Sequence, residues 1–119
     1  MSAAAGSFWS AAPLGRGVEI LAGDANGVAA LAKPAGVLSH PNEAKDQPRS
    51  LIVAHYDAAE ECYQWRVEGE GEPQRAWLLN RLDSATSGVI LLANDAELAR
   101  EIRAQFKRKQ VTKIYQALV

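Results

Sequence analysis

A chain of 119 residues with 48% apolar and 23% charged side chains has the length and make-up of one globular domain with a core, which excludes a disordered or fibrous chain. Its formal net charge of −1 lacks the basic excess that marks most nucleic-acid-binding domains. A single cysteine, Cys62, excludes an internal disulfide, lacks the paired spacing of a zinc site and fits a cytoplasmic protein.

The N-terminal MSAAAGSFWSAAP has neither a basic leader nor an apolar stretch long enough for a signal or a membrane span. No membrane partner is expected, and residues 1–17 read as a flexible arm. Val18 to Leu21 and Val28 to Ala32 are short β-compatible runs around GDANG, whose Gly and Asn suit a tight turn, so a hairpin is predicted. In KPAGVLSHP the breakers Pro34, Gly36 and Pro41 place Lys33 and His40 on a loop.

Ser50 is positioned to cap a helix starting at Leu51, and Ile52, Tyr56, Ala59 and Tyr63 recur at helical spacing. VEGEGEPQ, Val67 to Gln74, reads as an exposed connection. GVILLA, Gly88 to Ala93, is an apolar run of strand length, predicted central and buried on both faces. Asn94 with Glu97 resembles a capping box, and Leu98, Ile102 and Phe106 follow as a helical stripe. VTKIYQALV, Val111 to Val119, alternates as a last strand. These elements make an α+β fold with a mixed, mainly antiparallel sheet and packed helices. An open sheet edge at Val119 calls for cover by a further C-terminal segment or a second chain.

Charge is distributed unevenly: six acids and one base from Asp57 to Glu72, six bases and one acid from Arg100 to Lys113. On charge alone the two runs read as two solvated faces. The most informative stretch is LNRLDSATSGVILLA, Leu79 to Ala93. Asp83 lies in a polar turn directly before the apolar strand, at the rim of a core, where rigid placement suits chemistry. Arg81, two residues away, is close enough to pair with it or to clamp a phosphate. The hydroxyls of Ser84, Thr86 and Ser87 are candidates for fixing the loop, and Gly88 allows close approach. On generic grounds the same pattern also describes a structural ion pair with capped ends.

Three ordered motifs favour the chemical reading. LNRLDSATSGVILLA resembles the R-L-D-x-x-T-S-G signature of the RluA/RsuA-type pseudouridine synthases. LAKPAGVLSHP, Leu31 to Pro41, resembles their K-P-x-G-x-x-x-H-P element, and TKIYQALV, Thr112 to Val119, their K-x-Y-x-A-x-V element. The resemblance implies that residues 18–119 are the front part of a catalytic domain that isomerises uridine to pseudouridine in structured ribosomal or transfer RNA. It implies no cofactor, because both exchanged bonds belong to the substrate.

By the same resemblance Asp83 matches the catalytic aspartate, as nucleophile or as base. Tyr115 matches the tyrosine that stacks on the uracil, and Arg81 the arginine that holds the uridine out of its stack. Lys33 and Pro34 match a supporting element. The basic run, Arg100, Arg103, Lys107, Arg108, Lys109 and Lys113, is assigned with Arg81 to RNA binding. His40 and His55 fit no ligand cluster, so no metal is expected. The chain departs from the family at Asn80, where many members carry His. It also ends at Val119 without the later R-x-x-Q-I/L-R-type element, so a C-terminally truncated domain is expected, with a non-catalytic RNA-binding remnant as the rival reading.

Overall fold

The structure, a computed structural model, describes residues 8–24, 26–67, 69 and 71–107. Six strands form one sheet: β1 (Glu19–Gly23), β2 (Val28–Lys33), β3 (His55–Asp57), β4 (Cys62–Trp65), β5 (Gln74–Leu78) and β6 (Gly88–Ala93). Their order is β1-β2-β6-β5-β4-β3 and every neighbouring pair is antiparallel. One helix, α1 (Ala96–Lys107), follows β6, and a short 3-10 helix (Ala44–Arg49) lies between β2 and β3.

The predicted hairpin is β1–β2, closed by Asp24, whose carboxylate accepts the amides of Asn26 and Val28. GVILLA is β6, interior as expected, and its alternation splits the core between the two faces of the sheet. Ile90 and Leu92 join Leu31, Tyr63, Ala76 and Leu78 on one face. Leu91 and Ala93 join Trp77, Leu79 and Cys62 on the other, where Leu98, Ile102 and Phe106 of α1 cover them. That stripe packs as predicted. Burial on both faces fails at the start of β6, where Val89 remains 48% exposed because the helix lies over the strand's far end.

Several expectations are corrected. No helix starts at Leu51; the segment forms the antiparallel pair β3–β4. The Asp57 carboxylate accepts the amides of Ala59 and Glu60, and Glu61 takes a left-handed backbone (φ 55), so the chain folds back where a helix would continue. Ser50 caps nothing downstream; its hydroxyl donates to Asp46 at the end of the 3-10 helix. Strand β5, QRAWL, was not predicted. The cap of α1 is Asp95, one residue later than expected: its carboxylate accepts the Leu98 amide at 2.9 Å. Lys33 ends β2 and is buried, not set on a loop.

The described part of residues 1–17 packs on the sheet face opposite α1. Trp9 is 2% exposed, Phe8 packs on Trp9 and Trp65, and Leu14 bridges to Ile52, because the sheet face opposite α1 needs an apolar cover. The strand predicted at Val111 to Val119 lies outside the described residues. Among the described residues no helix is long and apolar enough to cross a membrane.

Candidate active site

Lys33, the last residue of β2, pairs with Gly88, the first of β6. The loop leaving β2 and the loop entering β6 therefore emerge at the same end of the sheet, and that register brings two motifs into contact through side chains 41 to 51 positions apart. The entering loop peels away from β6 in an orderly way. Leu79 donates to Leu91 O at 2.9 Å as a normal ladder bond. One residue on, the Asn80 side chain replaces the backbone: its carbonyl accepts the Leu91 amide at 2.7 Å and its amide donates to Val89 O at 3.1 Å.

The next anchors alternate. Ser39 Oγ donates to Leu82 O at 2.7 Å and accepts the Leu82 amide at 2.9 Å. Ser84 O accepts the Gly36 amide at 2.6 Å and the Lys33 ammonium at 3.2 Å. Gly36 has φ 91, a conformation glycine adopts without penalty, and there it presents its amide to Ser84. Gly88 serves packing: a Cβ there would sit 3.0 Å from Leu82 Cδ1. With residues 80, 82 and 84 tied down, residues 81 and 83 are left to face outward. Both are exposed, and both line a groove of about 460 Å³ whose walls are Leu38, Ser39, His40 and Asn42 from one loop and Arg81 to Ser84 from the other.

Lys33 is the electrostatic foundation of this arrangement. Its ammonium donates to Pro34 O at 3.1 Å, Val37 O at 2.7 Å and Ser84 O at 3.2 Å, so one buried charge knots both loops. Burial pushes its pKa below the ordinary lysine value, and the nearby Asp83 carboxylate pulls it back up. Ser39, 5% exposed, is held in turn: the Tyr63 hydroxyl of β4 donates to its carbonyl at 2.6 Å. Burial drives the Tyr63 phenol above its usual range.

Arg81 and Asp83 share the groove without an ion pair between them. The guanidinium turns to Glu61 at 4.0 Å and to His40 Nε2 at 3.4 Å. The His40 ring in turn lies flat on Tyr56, with centroids 5.0 Å apart and planes 8° from parallel. Arg103 is half-buried and directed inward: it donates to Leu78 O at 2.6 and 2.9 Å and to Glu61 O, and pairs with the Glu61 carboxylate at 3.6 Å. Arg100 and Lys107 are exposed on α1, while Arg108, Lys109, Lys113 and Tyr115 lie outside the described residues.

Among the described residues the hydroxyls of Ser84, Thr86 and Ser87 make no hydrogen bond; Ser39 and Asn80 do the fixing instead. Sequence reading singled out neither for this role, and the signal for Asn80 was present only as a departure from a motif. No group of three His, Cys, Asp or Glu among the described residues is placed to hold a metal ion.

The family profile of RNA pseudouridylate synthases matches residues 27–119. The chain belongs to that family. Relatives within it include the ribosomal large subunit pseudouridine synthase D of Borreliella burgdorferi, 32% identical over 104 residues, covering 86% of this chain and 30% of the relative. The tRNA pseudouridine synthase C of Haemophilus ducreyi is 36% identical over 90 residues, covering 76% of this chain and 32% of the relative. A solved structure, human RNA pseudouridylate synthase domain containing 4, aligns at 26% identity with a TM-score of 0.48 over 76% of this chain and 30% of the other. The chain spans less than a third of the length of those curated relatives.

Proposed function

We propose that the protein isomerises uridine to pseudouridine in ribosomal or transfer RNA, with Asp83 as the catalytic aspartate. The observation that carries this reading is the alternation of the anchored loop, which leaves Asp83 and Arg81 side by side in one groove while their neighbours are fixed. A carboxylate held at such a rim attacks the sugar or removes a sugar proton once the glycosidic bond loosens, and leaves again when the base rejoins through carbon. Arg81 stands where a guanidinium can fill the space of an extruded uridine or clamp its phosphate. Tyr115, by its motif, supplies the ring against the uracil. Lys33 and Ser39 contribute by positioning the loop.

Asp83→Asn tests the reading. Pseudouridine formation in bulk ribosomal and transfer RNA is expected to be abolished by the full-length variant. Folding stability should stay within about 0.5 kcal/mol of the wild type, since the side chain is exposed and loses only its charge. Full activity in the Asn variant would remove Asp83 from the mechanism. RNA binding with no pseudouridine from the wild type would leave a binding protein.

A further inference from the structure

The three rings His40, Tyr56 and Tyr63 form a column running from the groove into the core. Tyr63 is fully buried on β4, Tyr56 leans on it with centroids 4.9 Å apart, and His40 lies flat on Tyr56 as the outermost member. Both His40 nitrogens are engaged, Nδ1 with Pro41 O at 3.2 Å and Nε2 with the Arg81 guanidinium at 3.4 Å. A carbonyl on one nitrogen and a guanidinium on the other hold the ring in a fixed orientation. One face is covered by Tyr56, and His40 also lines the groove that Asp83 and Arg81 share.

An oriented, flat, backed ring at the wall of a polar groove is the kind of surface on which an unstacked nucleobase lies down. The uridine proposed for Asp83 uses one base only, and extruding it leaves its neighbours without a stacking partner on one side. We propose that His40, stiffened by Tyr56, is a stacking platform for the nucleobase next to the target uridine, with the exposed amide of Asn42 beside it in the groove available to that base's polar edge. The ligand class is a single-stranded nucleotide in an RNA loop. The inference rests on the isomerase reading for the identity of the neighbour, but not for the stacking itself.

The probe is an RNA hairpin with a seven-nucleotide loop centred on uridine, together with two versions carrying an abasic nucleotide on the 5′ or the 3′ side of it. Affinities are measured with the full-length wild type, His40→Ala and His40→Phe, after thermal melts show that all three fold. His40→Ala is expected to weaken binding of the intact hairpin about tenfold or more, the scale of one lost base–aromatic stack. On one of the abasic hairpins the same substitution should cost nothing further, and His40→Phe should bind the intact hairpin nearly as well as the wild type. A merely structural role for His40 would weaken all three hairpins equally. That result, an Ala variant equal to wild type, a Phe variant as weak as Ala, or a wild type indifferent to both abasic sites, overturns the platform. Pseudouridine formation is scored separately: product without the coupling defeats only the platform, and coupling without product defeats only the isomerase.

Discussion

Ser39 Oγ spends both its donor and its acceptor on the backbone of Leu82, and its own carbonyl takes the Tyr63 hydroxyl. Removing the hydroxyl strips the half-buried Leu82 peptide groups of both partners while leaving the site's charges untouched. Ser39→Ala is therefore expected to lower stability by about 1–3 kcal/mol, the usual cost of orphaned polar groups. Under the proposed function it should depress kcat more than it raises KM, because Asp83 loses its fixed placement. Denaturant melts and steady-state kinetics on the same preparation check this, and an unchanged kcat in a destabilised variant would confine Ser39 to folding. Tyr56 offers a second test. Burial, helped by Glu61 and opposed by Arg81, raises its pKa from 10.0 to about 12. The folded chain thus keeps a proton that the unfolded chain gives up, so the stability Tyr56 contributes is complete below pH 10 and is lost between pH 10 and about 12. Melting temperatures measured across that window should fall less steeply for Tyr56→Phe than for the wild type. Equal slopes would mean that Tyr56 ionises in the folded chain as easily as in the unfolded one.

Elements whose pattern is local were legible in the sequence, and those fixed by a distant partner were not. β6 is a run of apolar residues between a glycine and a cap, and the α1 stripe is built by three residues four apart, so both follow from spacing alone. The segment after Leu51 misleads because Ile52, Tyr56, Ala59 and Tyr63 match a helical period while Tyr56 and Tyr63 actually reach the same core from two strands. Its decisive features are a carboxylate that captures two amides and a left-handed glutamate, which a periodicity count does not register. β5 opens on Gln74 and Arg75 behind a loop, pairs with β4 from its first residue, and is buried only from Ala76 on, with β6 joining at Trp77 and Leu78. The placement of Asp83 and Arg81 on one rim was readable because their motif is contiguous. Ser39 was not, since its partner lies 43 positions away and no local feature marks it. The shift of the helix cap from Asn94 to Asp95 is testable at this scale. Asp95→Ala should cost about 0.5–2 kcal/mol by freeing the Leu98 amide, and more than Asn94→Ala. The reverse order in urea melts would restore the original cap.

Across the whole molecule the basic run from Arg100 divides into unlike parts. Arg103 is drawn into a knot with Leu78 and Glu61, the same glutamate that Arg81 approaches, so it braces α1 against the hairpin end beneath the site. Arg100 and Lys107 stand exposed on the same helix. A phosphate neutralised by a side chain releases a counterion, and each such contact adds roughly 0.7 to 0.9 to the slope of log affinity against log salt. A side chain already committed to carbonyls and a carboxylate releases none. Under the proposed function, binding of transfer RNA by the full-length protein should weaken steeply as salt rises from low to physiological strength. Replacing Arg100 by Ala should reduce that slope by roughly one contact. Arg103→Ala should leave the slope unchanged and instead lower the melting temperature, because Leu78 and Glu61 lose their partner and the Glu61 carboxylate is left to Arg81 alone. Affinity titrations at several salt concentrations, paired with thermal melts, separate the two. A slope that drops with Arg103→Ala but not with Arg100→Ala would place the RNA on the inner side of the helix and undo the division. Binding indifferent to salt in every variant would reduce the basic run to a solvated surface.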